Sequence, residues 1–307
     1  MNSEVSKDIE EIEIIRTNLD EYPLLKKYFG KIIEQRLQIE CFTHGLLTAH
    51  LLSLGKQKDL LALEITRFDL QRLEIVLQFG NSCCEDFDFI FREDRLAQYE
   101  DADGKIIDML AEVRAFEFLC RYGFKATKKI RRKSDCKTVD FTAKRDNLNY
   151  AIEVTRLGLA QSDEKQPVYD YKVSTLNYEK KCENADGSEL RLPPKENLNV
   201  ERIEREIYDA VDHKYKQLSD YLKKNNNSWK GILFVSSGKD YFNMCRYENK
   251  GYDDVCKNDF LEALQKVWQS IAGEQRNKYL HHIIITRGRD LGKAIISPDF
   301  EIEEQET

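Results

Sequence analysis

The chain has 307 residues, of which 41% are hydrophobic and 34% are charged, and its formal net charge is −7 at pH 7. This composition indicates a soluble globular protein of one or two domains, and the acidic balance excludes whole-protein charge as a source of nucleic-acid affinity. No apolar run approaches the ~20 residues that a membrane span needs, so a membrane is not an expected partner.

The first fifteen residues are acidic, which is not the pattern of a secretory or mitochondrial signal. Eight cysteines occur, without a CxxC motif or a Cys/His cluster, so a zinc site is not expected. Scattered cysteines in such a chain indicate free thiols and a cytoplasmic location.

Residues 1–100 are predicted to form an all-helical N-terminal region, because apolar residues recur at helical spacing. One helix is expected over 59–79, with Gly80 as its stop. No motif occurs here, so targeting, oligomerisation and regulation remain open as roles. The partner could be a regulatory protein, nucleic acid or a second copy of the chain.

After a connector at 86–104, a helix is predicted over 105–121, with Gly123 as its stop. Glu112 lies on the apolar stripe of this helix, where a carboxylate is costly unless it is paired or binds a metal. The alternative is a residue at the boundary of the stripe. Glu117 has Arg114 and Arg121 at helical spacing and is interpreted as part of a solvated pair.

A basic run at 125–137 precedes a predicted hairpin. Such runs are commonly solvated surfaces, but this one borders a candidate acidic site, which favours contact with a phosphate backbone. The candidate nucleic-acid-binding residues are Lys128, Lys129, Arg131, Arg132 and Lys133.

Residues 138–156 alternate as two strands joined by a two-residue turn at Asp146-Asn147. Val139 is expected on the same face as the neighbouring apolar residues. That register places Asp140 directly across from Glu153, and two carboxylates so close require a shared proton, a basic group or a metal. The alternative is a solvated strand face with two unrelated acids.

The polar segment 157–200 is interpreted as an irregular insertion. A helix at 200–223, a buried strand at 231–235, a helix at 259–272 and a buried strand at 281–286 follow. This order predicts an α/β domain over 101–307, with a mixed sheet flanked by helices.

Glu112 in LAEVRAFEFLCRYGF, Asp140 in VDF and Glu153 in IEVT occur in an order that resembles the PD-(D/E)xK nuclease superfamily, over roughly residues 105–240. The resemblance implies a restriction-endonuclease-like fold. Three converging carboxylates form a hard oxygen site for Mg²⁺ or Mn²⁺, which can activate water for phosphodiester hydrolysis.

Two positions depart from the family pattern. Val139 replaces the proline, and Thr155 replaces the lysine of the ExK motif. The resemblance implies a compensation on the helix at 200–223, because Gln217 and Tyr221 resemble the QxxxY feature of exonuclease-type members. Lys214, three residues before Gln217, is the candidate migrated catalytic lysine, and its alternative is a solvated cation.

The sequence thus predicts a metal-dependent nuclease, acting on DNA more readily than RNA, by analogy in a restriction or antiphage setting. The catalytic residues would be Asp140, Glu153, Lys214 and Thr155, and the metal ligands Glu112, Asp140 and Glu153. The alternative is a catalytically inactive nuclease-like module that binds nucleic acid or a protein.

Overall fold

A computed structural model describes most of the chain. The described residues are 2–38, 46–56, 60–91, 102–131, 138–156, 200–225, 228–236, 261–271, 278–286 and 295–296. The predicted insertion at 157–200 therefore lies almost entirely outside the described residues.

Helices account for the described residues before position 92. They are α1 (Asn2–Asp20), α2 (Pro23–Arg36), α3 (Leu46–Lys56), α4 (Leu60–Cys83) and a 3-10 helix, Phe87–Phe91. No helix in these ranges or later in the described chain is long and apolar enough to cross a membrane.

α4 runs through its expected stop, Gly80, and ends three residues later. Gly80 has a packing role instead, because a Cβ there would lie 2.3 Å from the ring of Phe87. Phe87 is itself buried, so the start of the predicted connector is a packed aromatic turn.

α5 (Ala102–Arg121) follows, and Gly123 ends it as expected. The backbone φ of Gly123 is 75°, the left-handed conformation that closes many helices, and the following Phe124 donates its N–H to the carbonyl of Leu119. Residues 109–119 of α5 are buried on every side, as expected of a helix enclosed by other layers.

The described strands form one mixed sheet in the order β1-β2-β3-β4-β5-β6. Their bounds are β1 Lys125–Lys129, β2 Phe141–Arg145, β3 Leu148–Arg156, β4 Lys230–Ser236, β5 His282–Thr286 and β6 Ile295–Ile296. β1, β2 and β3 pair antiparallel, whereas β3, β4 and β5 pair parallel. α6 (Val200–Lys224) precedes β4, and another helix covers residues 261–270.

The predicted α/β class with a mixed sheet is confirmed. One hydrophobic core joins the N-terminal helices and α5 to one face of the sheet, through residues such as Phe29, Phe116 and Ile152. A second core joins α6 and the helix at 261–270 to the opposite face, through residues such as Leu218 and Val267. The described layers are therefore helix, sheet and helix.

The hairpin has the predicted register, because Arg145 pairs with Leu148 and Phe141 with Ile152. Asp146 and Asn147 both have positive φ values, 50° and 61°, as a type I′ turn requires. β3, near the centre of the sheet, is covered on both faces along Tyr150–Val154.

Candidate active site

Asp140 and Glu153 lie near the place where β2 begins and β3 ends, but their side chains pair with different lysines. Asp140 stands at a bend just before β2, and its backbone N–H donates to the carbonyl of Ile152 over 3.0 Å. The bend reverses the expected alternation, so that Val139 packs into the α6-side core while Phe141 packs into the α5-side core. The prediction that both face one way was wrong, because strand geometry starts only after Asp140.

Asp140 is held from two directions and is 2% exposed. Its Oδ2 accepts the backbone N–H of Val154 over 2.9 Å, and its Oδ1 lies 3.1 Å from the ammonium of Lys129. The carboxylate therefore sits against the backbone of β3, one residue beyond Glu153. Hydrogen bonds of this kind favour the charged form of an acid.

Lys129 links Asp140 to the second acid. Its Nζ lies 2.5 Å from Oε2 of Glu112 on α5, and its side chain is only 3% exposed. The ammonium also lies 4.9 Å from the centre of the Phe141 ring. Glu112 is therefore a buried, paired carboxylate, which is one of the two explanations that its position on the apolar stripe allowed.

Glu153 has no solvent exposure and points to the other face of the sheet, because it alternates with Ile152 and Val154. There, the ammonium of Lys214 lies 2.6 Å from its Oε1. Lys214 occupies the inward stripe of α6, seven residues after Ile207 and four before Leu218, which are both in the core. A lysine on such a stripe needs an acidic partner, and Glu153 is that partner.

Gln217 connects α6 to the segment that precedes Asp140. Its Nε2 donates to the backbone carbonyl of Thr138 over 2.6 Å, two residues before Asp140. Tyr221 lies one turn further along and packs edge-to-face on Trp229. Burial raises the pKa of Tyr221, so this phenol stays neutral at physiological pH. Gln217 therefore positions the acid-bearing strand, whereas Tyr221 supports the helix.

Thr155 and Arg156 end β3. The hydroxyl of Thr155 lies 3.5 Å from the carbonyl of Arg156. Arg156 points to the α5 face, where its Nε lies 2.8 Å from Oδ1 of Asp108, one turn before Glu112. A cation therefore stands beside the position where the family pattern has its lysine, but it belongs to residue 156 rather than 155.

The predicted nucleic-acid-binding residues separate into three groups. Lys128, which is half-buried, and Arg131, which is exposed, form ion pairs with Glu85 and Asp86. Arg131 holds the pKa of the Asp86 carboxyl below its usual range. Lys129 lies in the interior, as described above. The last group, Arg132 and Lys133, lies outside the described residues.

The three acids are not arranged as a single ligand set. Within the described ranges, no three His, Cys, Asp or Glu side chains are grouped so that they could hold a metal ion. The donor chemistry nevertheless fits Mg²⁺ or Mn²⁺, because Asp140, just before β2, and Glu153, on β3, supply carboxylate oxygens. In the structure, ammonium groups of Lys129 and Lys214 lie against these oxygens.

Lys129 is the site residue whose place the sequence did not indicate. The basic run predicts it to be a nucleic-acid-binding residue, like its basic neighbours. Thr127 and Lys129 are both buried, whereas Lys128 between them is half-buried. Side chains of a strand alternate between its two faces, and this alternation would have placed Lys129 inside. It cannot be recognised in the sequence, because basic residues occupy both inward and outward positions of the run.

A second buried ion-pair network joins α4 to α5. Glu117, expected to be solvated, is 7% exposed and accepts from Arg72 over 2.7 Å and from Arg114 over 2.9 Å. Arg114 is completely buried. The expectation of a solvated pair was wrong. The sequence pattern of α5 predicted that this face of the helix is exposed to solvent, whereas α4 covers it.

Burial also raises the pKa of the Cys84 and Cys120 thiols to about 12, so both are inert as nucleophiles at neutral pH. They and Cys83 are free thiols, as expected for the cysteines that lie in the described ranges.

Comparison with protein-family models, with curated proteins and with solved structures gave no match to this chain.

Proposed function

We propose that the protein is a metal-dependent nuclease that hydrolyses phosphodiester bonds, with DNA the favoured substrate. The observation that carries the proposal is two ion-paired groups of charged side chains near the start of β2 and the end of β3. Glu112, Lys129 and Asp140 form one group and are buried, and buried Glu153 pairs with partly exposed Lys214 on the other face of the sheet.

Buried ion pairs contribute little net stability, since removing charges from water costs about as much as their attraction returns. Stability alone is therefore a weak explanation for three buried acids and buried Lys129, and a chemical role would explain them better. Buried charged side chains with specific charge partners are candidates for functional sites.

The order of the described elements supports the same proposal. A helix that carries Glu112 precedes three antiparallel strands, and α6 then leads to a strand parallel to β3. The resemblance to PD-(D/E)xK nucleases implies this order, with the Asp and the Glu on neighbouring strands. The nuclease-like fold remains part of the proposal.

Each residue has a role that its contacts allow. Glu112, Asp140 and Glu153 would supply the ligands of Mg²⁺ or Mn²⁺, which supplies a water of lowered pKa and offsets charge on the cleaved phosphate. Lys214 would orient the attacking water or balance charge. It would thus take the role of the family's ExK lysine, which Thr155 replaces here. Gln217 keeps the segment before Asp140 in register through its bond to Thr138. Lys128 and Arg131 would exchange their surface carboxylates for backbone phosphates, because exposed ion pairs are weak.

A cleavage assay tests the proposal. Wild-type protein is incubated with Mg²⁺ or Mn²⁺ on circular and linear double-stranded DNA, single-stranded DNA and RNA, beside Asp140→Asn and Glu153→Gln. We expect the wild type to cleave and each variant to lose at least a hundredfold in rate. Asp209→Asn, which neutralises an exposed acid on α6, is the matched control and should cleave normally. A Glu153→Gln enzyme with the wild-type rate would refute the site assignment.

A second candidate is a nuclease-like module that binds nucleic acid or a protein without cleaving. Thr155 in place of the lysine favours it, as do the lysine ammoniums that already face Asp140 and Glu153. Fluorescence anisotropy with labelled DNA and RNA separates the two functions. Tight binding that is unaffected by Glu153→Gln, together with no cleavage by the wild type, would favour the module.

A further inference from the structure

We propose that Lys129 is a built-in counter-ion at the candidate site, which competes with a divalent cation for the carboxylates of Glu112 and Asp140. The inference rests on the proposed function, because it concerns loading of the same site. It adds a residue that neither the nuclease pattern nor the arrangement of acids assigns. Its consequence is that the protein binds its metal more weakly than its acids alone would allow.

The position of Lys129 is fixed by its backbone. On one side, Lys129 pairs with Phe141 of β2. On the other side, its N–H donates to the carbonyl of Glu85 over 2.8 Å. The Cα of Lys129 is thus held between two neighbouring segments, and only the flexible side chain can move. The backbone therefore positions the ammonium between Glu112 and Asp140.

The contacts of the ammonium are those that a metal would need. Its Nζ lies 2.5 Å from Oε2 of Glu112 and 3.1 Å from Oδ1 of Asp140. The other oxygen of Asp140 accepts the N–H of Val154. A cation that binds Oδ1 of Asp140 must displace the ammonium or share the oxygen with it at close range, where two positive charges repel strongly in a buried site.

Burial makes this competition effective. The side chains of Lys129, Glu112 and Asp140 are 3%, 7% and 2% exposed. Water and salt therefore screen their interactions poorly. A surface lysine at the same distance would weaken metal binding much less. Lys128, the next residue, provides that comparison, because it is partly exposed and pairs with Glu85 on the outer side of β1.

Calorimetric titration of the full-length protein with MnCl₂, without nucleic acid, tests the proposal. We expect Lys129→Met to bind Mn²⁺ at least tenfold more tightly than the wild type, a change of about 1.4 kcal/mol. Lys129→Arg keeps the charge and should not gain affinity, and Lys128→Met should stay within about twofold of the wild type. Wild-type or weaker Mn²⁺ affinity in Lys129→Met would overturn the inference.

A second pair of variants keeps the test decisive if Lys129→Met does not fold. Glu112→Gln and the double variant Glu112→Gln/Lys129→Met retain the same two acids, Asp140 and Glu153, and differ only at position 129. We expect Mn²⁺ to raise the Tm of the double variant more than that of the single variant, and equal shifts would overturn the inference. If Mn²⁺ binding survives Asp140→Asn unchanged, the proposed metal site fails instead.

Discussion

Replacement of Lys214 by Met should destabilise the protein by about 3 kcal/mol at pH 7. The Nζ of Lys214 lies 2.6 Å from Oε1 of Glu153, which is completely buried, while the lysine side chain is 23% exposed. At an effective dielectric constant of 20, this distance corresponds to an attraction of about 6 kcal/mol, which is an upper bound. Removing one partner of a buried pair typically costs 3–5 kcal/mol. The partial exposure of Lys214 places the expected loss at the lower end of that range.

Urea unfolding followed by circular dichroism measures this loss, with the m-value as a check that both proteins unfold in the same way. Lys216→Met, on an exposed position two residues further along α6, is the control and should change the free energy of unfolding by less than about 0.5 kcal/mol. The double variant Glu153→Gln/Lys214→Met should recover much of the loss, because no buried charge is left without a counter-charge. A loss below about 1 kcal/mol in Lys214→Met, or no recovery in the double variant, would show that the pair is not formed as described.

Three further predictions concern other parts of the fold. Burial and nearby Lys230 lower the pKa of His281 to about 4, below the usual value near 6.5. The stability contributed by neutral His281 is therefore complete above about pH 6.5 and is lost as the pH falls towards 4. His281→Asn keeps an acceptor for the N–H of Gly231 but does not titrate. Urea unfolding should therefore show that the free energy of unfolding falls less steeply in the variant than in the wild type between about pH 6.5 and 4, and equal slopes would contradict the reasoning. At the hairpin turn, Asn147→Ala should lower the free energy of unfolding by about 1 kcal/mol and Asn147→Gly by much less, because the φ of 61° suits only Gly, Asn and Asp. Equal losses in the two variants would contradict the claim that this backbone conformation strains an alanine. Glu117→Ala should lower the free energy of unfolding by at least about 3 kcal/mol, since it leaves buried Arg114 without that carboxylate; a smaller loss would mean that the network has another source of compensation.

The local patterns of the sequence predicted the hairpin and the α/β layers well. The turn at Asp146-Asn147 set the register, and the period of two along β3 fixed which residues share a face. The continuous apolar runs of β4 and β5 marked strands that are covered on both sides. In each of these elements, the signal lies within a few neighbouring residues.

The contacts of Lys129 and Glu117 could not be predicted in the same way. Lys129 is placed by pairing with β2, and Glu117 by the packing of α4 on α5. Whether a charged residue faces water or a partner depends on which distant segment covers it. Lys214 was the intermediate case, because its spacing placed it on one helix face with Gln217 and Tyr221, while the identity of its partner required the fold.

The separation of Glu153 from Lys214 also has a consequence for synthesis of the protein. The two residues are 61 positions apart. At typical translation rates of 5–20 residues per second, the lysine is added roughly 3–12 s after the acid. The hairpin that carries Asp140 and Glu153 closes locally within microseconds, so its acids spend seconds on the ribosome before α6 exists. A nascent chain therefore carries Glu153 without its ion-pair partner until α6 has been synthesised and has docked on the sheet.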